Sequence, residues 1–88
     1  MLPTHRPPNP PGEILLEEFL KPLGMTQSAL AERMGVPIQR VNTLINGKRA
    51  VTAETAILLA RVLETSPEFW MNLQTGSDLW AAQRKLAI

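Results

Sequence analysis

An 88-residue chain with nine Lys and Arg against eight Asp and Glu, one His and no Cys has room for one domain and excludes disulfide frameworks and thiolate metal sites. Its 44% hydrophobic and 19% charged residues are those of a soluble globular domain, and its longest apolar run, Ala56 to Ala60, is far short of the roughly 20 residues of a membrane span. So short a chain buries only about 60–65% of its unfolded surface, which favours an oligomer, while the lack of Cys suits a reducing cytosol.

Five of the first eleven residues are proline. Residues 1–9 are therefore expected as a proline-rich, extended or disordered tail. Pro3, Pro7 and Pro8 stand where the apolar core of an export signal would lie, so none is expected. Nothing afterwards alternates like a strand, and residues 10–88 read as an all-α domain whose helices are separated by Gly and Pro. The first helix is expected from about Pro11 to Leu20 or Lys21, where Pro22 and Gly24 break it. Leu15, Leu16, Phe19, Leu20 and Leu23 form its apolar stripe, with Glu13, Glu17 and Glu18 facing out. Thr26 caps a second helix, Gln27 to Met34, which buries Leu30, Ala31 and Met34 and stops at Gly35. Pro37 opens a third helix that ends near Asn46, with Val41, Leu44 and Ile45 inward. Only three residues separate these two helices, which forces a sharp angle and gives helix-turn-helix spacing over about 26–46.

Thr52 caps a fourth helix to about Glu64. Its run Ala56-Ile57-Leu58-Leu59-Ala60 with Val62 and Leu63 is apolar nearly all round, so it is expected as the central buried helix. Ser66-Pro67-Glu68 is a strong start signal for a fifth helix over about 67–85, with a break at Gly76 as the alternative.

The net charge of +1 divides unevenly along the chain. Residues 1–24 carry Arg6 and Lys21 against Glu13, Glu17 and Glu18, or −1. Residues 25–51 carry Arg33, Arg40, Lys48 and Arg49 against Glu32, or +3, and residues 52–88 return to −1. Concentrated positive charge in the middle third suits a local contact with phosphate, and the competing view is a solvated face.

Burying Val41, Leu44 and Ile45 turns Ile38, Gln39, Asn42 and Thr43 outward near the N-terminus of the third helix, the part that enters the major groove in this motif. Gln39 can pair bidentately with adenine, Thr43 can bond to either base edge, and Ile38 or the Thr43 methyl can touch a thymine methyl. Gln27 and Ser28, at the start of the second helix, are placed to bond a backbone phosphate. Arg40, Asn42, Lys48 and Arg49 are expected to add phosphate contacts.

With those residues in view, the chain resembles the HigA/VapI-type antitoxins of the Xre-like helix-turn-helix superfamily. The resemblance is carried by Pro11-Gly12-Glu13-Ile14-Leu15, Phe19-Leu20, Leu23-Gly24-Met25-Thr26-Gln27 and Asn46-Gly47-Lys48-Arg49. Thr52-Ala53-Glu54-Thr55-Ala56, Ser66-Pro67-Glu68-Phe69-Trp70, Leu73-Gln74 and Asp78-Leu79 extend it over about residues 10–80. It implies a five-helix, λ-repressor-like domain that dimerises, binds a palindromic operator in its own promoter and neutralises a HigB-type ribosome-dependent mRNA endonuclease. It also implies that Gln27, Ile38, Gln39, Thr43 and the Lys48-Arg49 pair face DNA. Where the family usually has His before Pro-Gly-Glu, this chain has Pro10.

On the fifth helix Phe69, Leu73, Gly76 and Trp80 fall along one line, with Trp70 beside them as a core anchor. The C-terminal halves of two such helices are expected to pair about a two-fold axis, Gly76 allowing close approach and Leu79 and Trp80 packing. Trp80 as a terminal core residue is the alternative. Candidate toxin contacts are the tail and the acidic face of Glu13, Glu17 and Glu18, which also reads as a solvated face. No catalytic constellation, cofactor motif or metal-ligand cluster emerges: His5 stands alone and the five glycines form no phosphate loop. A stand-alone repressor without a toxin, and a protein-interaction module with an inactive helix-turn-helix, remain the rival functions.

Overall fold

Helix α1 covers residues 11–23 in the computed structural model, which describes residues 8–87, so residues 1–7 of the expected tail lie outside the described residues. It opens as an α-helical turn, Pro11–Ile14, widens into a π-helical stretch, Leu15–Leu20, and closes with Lys21–Leu23. The widening has a cause in the sequence. An α-helical register would press the ring of Pro22 against the carbonyl four residues back, whereas the looser π turn accommodates it. The Lys21 N–H accordingly bonds to the Leu16 carbonyl, five residues away. The helix therefore runs past the expected stop at Leu20 or Lys21. The shifted register also rotates Leu23 out of the expected stripe, leaving it 59% exposed while Leu15 and Leu20 are buried.

Helices α2 (Gln27–Met34) and α3 (Ile38–Ile45) are separated by three residues, and α4 (Ala53–Leu63) and α5 (Pro67–Leu86) complete a five-helix fold with no strand among the described residues. Thr26, Thr52 and Ser66 each cap a helix, their side-chain oxygens accepting from the N–H of Ala29, Thr55 and Phe69. Each such cap is worth about 1 kcal/mol. Gly76 causes no break, and α5 continues for 20 residues.

The core joins Leu15 and Leu20 of α1, Leu30, Ala31 and Met34 of α2, Val41 and Leu44 of α3, Ala56 and Leu59 of α4, Val51 from the preceding loop and Trp70 of α5. Trp70 is fully buried between Phe19 and Phe69, with ring centroids 5.2 and 5.0 Å away, and its Nε1 donates to Thr65 Oγ1 at 2.7 Å. Helix α4 is less central than its composition suggests. Only Thr55, Ala56, Leu59 and Ala60 are buried, and Ile57 is 42% exposed. The neighbouring helices cover one side of α4 and leave the Glu54, Ile57 and Arg61 side to solvent.

Candidate nucleic-acid interface

The sequence between α2 and α3 fixes their mutual angle through one residue. Gly35 takes φ +73°, a left-handed conformation that costs an ordinary L-residue about 1–2 kcal/mol. Its N–H donates to the Glu32 carbonyl and the Val36 N–H to the Ala31 carbonyl, both at about 3 Å, so the end of α2 is satisfied as the chain reverses. Helix α3 is then locked from the back. Val41 and Leu44 are buried, and the Lys48 N–H closes its C-terminus on the Thr43 carbonyl at 2.8 Å.

What remains outward on α3 is Ile38, 43% exposed, with Gln39 and Asn42 exposed and Thr43 half-buried. The Thr43 hydroxyl donates to the Gln39 carbonyl at 2.8 Å and approaches the Arg40 carbonyl at 3.3 Å. Its proton is thus held by its own helix, and toward a base edge the side chain offers a lone pair and a methyl group. At the start of α2 the first-turn N–H groups of Gln27 and Ser28 have no acceptor within the helix. Ser28 is exposed and Gln27 half-buried. Lys48 and Arg49 are exposed beyond α3 and form no ion pair among the described residues.

Two of the expected phosphate ligands are placed differently. Arg40 turns back toward α4, where its Nη2 donates to Glu54 Oε1 at 2.8 Å and to the buried Thr55 Oγ1 at 3.2 Å. Its guanidinium braces α3 against α4, so the residue expected to meet a phosphate is engaged by an ion pair within the domain. Asn42 is drawn into a side-chain amide chain: its Nδ2 donates to Gln27 Oε1 at 3.2 Å, and its Oδ1 accepts from Asn46 Nδ2 at 3.2 Å.

Three residues of the assembly escape sequence reasoning. Asn46 is reachable only as the residue four beyond Asn42 on the same helix face. Glu54 pairs with a residue 14 positions away, with no local pattern to mark it. Gly12 packs so closely on the C-terminus of α3 that a Cβ there would overlap the Leu44 carbonyl and lie 2.8 Å from the Ile45 carbonyl oxygen. Its sequence signal is a Gly just inside a helix start, where a residue with better helix propensity would otherwise serve.

At the far end of the molecule α5 runs past the core. Leu79 is 49% exposed, and Trp80 is half-buried under the Arg84 guanidinium, 4.8 Å from its ring centre. Trp80 is not among the side chains packed on the core, which disfavours a terminal-core role.

A family profile described as helix-turn-helix matches residues 16–70. Antitoxin HigA-1 of Vibrio cholerae is 49% identical over 82 residues, 93% of this chain and 77% of that protein. Among solved structures, the Pseudomonas aeruginosa antitoxin HigA with the higBA promoter superposes with a TM-score of 0.85 at 40% identity, covering 89% of this chain and 85% of that one. Antitoxin GraA in complex with its operator gives a TM-score of 0.84 at 43% identity, covering 96% and 85%. A helix-turn-helix chain matched at this identity over nearly all its described residues belongs to the HigA-type antitoxins of the Xre-like helix-turn-helix family.

Proposed function

We propose that this protein is the antitoxin of a type II toxin–antitoxin pair, which represses its own operon as a two-fold dimer on a palindromic operator and neutralises a HigB-type mRNA endonuclease in the cytoplasm. The observation that carries the DNA-reading part is the solvent-facing set Ile38, Gln39 and Thr43 between the start of α2 and the Lys48-Arg49 loop. In this reading Ile38, Gln39 and Thr43 meet bases. Gln27, Ser28, Lys48 and Arg49 meet phosphates, and Asn42 supports them from within the protein. The relatives solved with promoter or operator DNA support it. Pairing through Gly76, Leu79 and Trp80 would set two recognition helices about 34–36 Å apart, one turn of DNA. The exposed apolar Leu79 supports that pairing.

The test is a binding series on the DNA immediately upstream of the gene against random duplex. Gln39→Ala is expected to cost about 1–3 kcal/mol on the operator alone, and Lys48→Ala to weaken both duplexes alike with a salt slope smaller by about one. Equal losses on both duplexes for both variants would remove the base-reading assignment. Co-expression with the product of the adjacent reading frame tests the antitoxin part: a stable complex is expected, and its absence would leave a stand-alone repressor.

A further inference from the structure

We propose that Gln74 and Asp78 of α5 are positioning residues which, through the backbone at Val51, hold the Lys48-Arg49 loop in the arrangement that meets phosphate. The inference rests on the reading of Lys48 and Arg49 as phosphate ligands and goes beyond it by assigning the residues that place them. Both cations are exposed on a stretch without regular structure between α3 and α4. A cation on a loose loop gives up part of its contact energy in ordering the chain that carries it, and a fixed backbone removes that cost.

Two anchors meet at Val51. Its side chain is buried in the core, which fixes where the loop re-enters the domain. Its N–H donates to Gln74 Oε1 at 2.8 Å. That bond fixes how the planar peptide unit joining Ala50 to Val51 is turned, and with it the direction in which the chain leaves toward Arg49. Among the described residues, it is the hydrogen bond that ties residues 46–52 to an element other than α3 and α4. Gln74 is itself oriented from its other end, its Nε2 donating to Asp78 Oδ1 at 2.9 Å, one turn along the same face of α5. The chemistry of the two partners allows this chain one direction. A backbone N–H only donates, so the Gln74 oxygen must face Val51, and an ionised carboxylate only accepts, so the Gln74 NH2 must face Asp78. Gln74 and Ser77 line one cleft with Lys48, Arg49 and Ala50, which sets this turn of α5 against the loop.

The experiment is a double-mutant cycle on the full chain, read by affinity for the upstream DNA and for random duplex at a temperature where every variant is folded. Gln74→Met keeps the length of the side chain and removes both hydrogen bonds. It is expected to weaken binding about threefold to tenfold, the worth of one hydrogen bond, and equally on both duplexes because phosphate contacts carry no base information. Although no charge is altered, the salt slope is expected to fall toward the decrease of about one that Lys48→Ala gives. In a Lys48→Ala, Arg49→Ala background, Gln74→Met is expected to have no further effect. Asp78→Asn and Asp78→Ala remove the same charge, but only the first keeps an oxygen for the Gln74 NH2. Asp78→Asn is therefore expected to bind more tightly than Asp78→Ala, and equal affinities would overturn its part. A merely structural role for Gln74 would lower Tm and leave the affinity and salt slope of the folded protein unchanged, a result that would overturn the proposal. So would a loss confined to the operator, or one that persists in the Lys48→Ala, Arg49→Ala background and so acts through α3 or self-association. No loss on Lys48→Ala and Arg49→Ala together means instead that the phosphate-ligand reading of the loop fails first, and the positioning role with it.

Discussion

Replacing Arg40 by Ala separates the two roles its position allows. On a phosphate, Arg40 would release a counterion on binding, and its loss would reduce the salt slope by about 0.9. As a brace it contributes through Glu54 and Thr55. The ion pair is open to solvent, with Glu54's side chain 74% exposed, so it is worth only about 0.2–1 kcal/mol. The bond to buried Thr55 adds about 1 kcal/mol, and Arg40 Nε, buried without a partner, subtracts a comparable amount. The net loss of stability is about 0.2–1 kcal/mol, a fall in Tm on the order of 1–8 °C for a domain of this size. Thermal unfolding and DNA affinity between about 50 and 200 mM salt are measured beside Lys48→Ala. Arg40→Ala is expected to lower Tm and leave the slope unchanged, while Lys48→Ala does the reverse. A reduced slope with an unaltered Tm for Arg40→Ala would refute the brace.

Three further changes probe the scaffold. Gly12→Ala sets a methyl group against the backbone of Leu44 and Ile45, with no flexible side chain to yield, and is expected to cost about 1–3 kcal/mol or more in a thermal melt; an unchanged Tm would contradict the close approach. Glu64 holds φ 58° at the end of α4, so Glu64→Gly relieves strain of about 1–2 kcal/mol and is expected to raise Tm, a fall being the contrary result. Gly76→Ala meets open space within the subunit and is expected to stabilise the monomer by about 1 kcal/mol through helix propensity, while weakening self-association in sedimentation if two α5 helices approach there. Self-association that is unchanged or tighter would take Gly76 out of the pairing surface.

What the sequence made legible was short-range. Thr26, Thr52 and Ser66 each act on an N–H three residues ahead, so the starts of α2, α4 and α5 follow from neighbouring residues alone. The outward face of α3 follows equally from its apolar spacing. Contacts between helices were not legible, because their determinants are distant in sequence. Arg40 reads as a free cation until Glu54 and Thr55 arrive from another helix, and Asn42 reads as a phosphate ligand until Gln27 arrives from α2. Helix α4 looks buried all round because composition counts apolar residues without recording which sides have neighbours. The π stretch of α1 is a local effect of Pro22.

An eight-residue recognition helix poses a stability problem, and its solution explains how reading and folding are kept apart. Helix α3, Ile38–Ile45, has no side-chain cap at its N-terminus and is shorter than the roughly 12–15 residues at which isolated helices become marginal in water. It exists because other parts hold it. Val41 and Leu44 enter the core, Gly12 seats its C-terminus, the Lys48 N–H closes its last turn, and Arg40 ties it to α4. None of these anchors uses the side chain of Ile38, Gln39 or Thr43. The free energy that forms the helix is therefore supplied by its inner face and flanks, and the proposed discrimination between bases falls to its outer face. Substitutions at exposed positions away from such anchors usually change stability by less than about 0.5 kcal/mol. The outer face of α3 can thus be recast for a different operator with little effect on folding, whereas truncating Leu44 would cost about 2–5 kcal/mol and remove both.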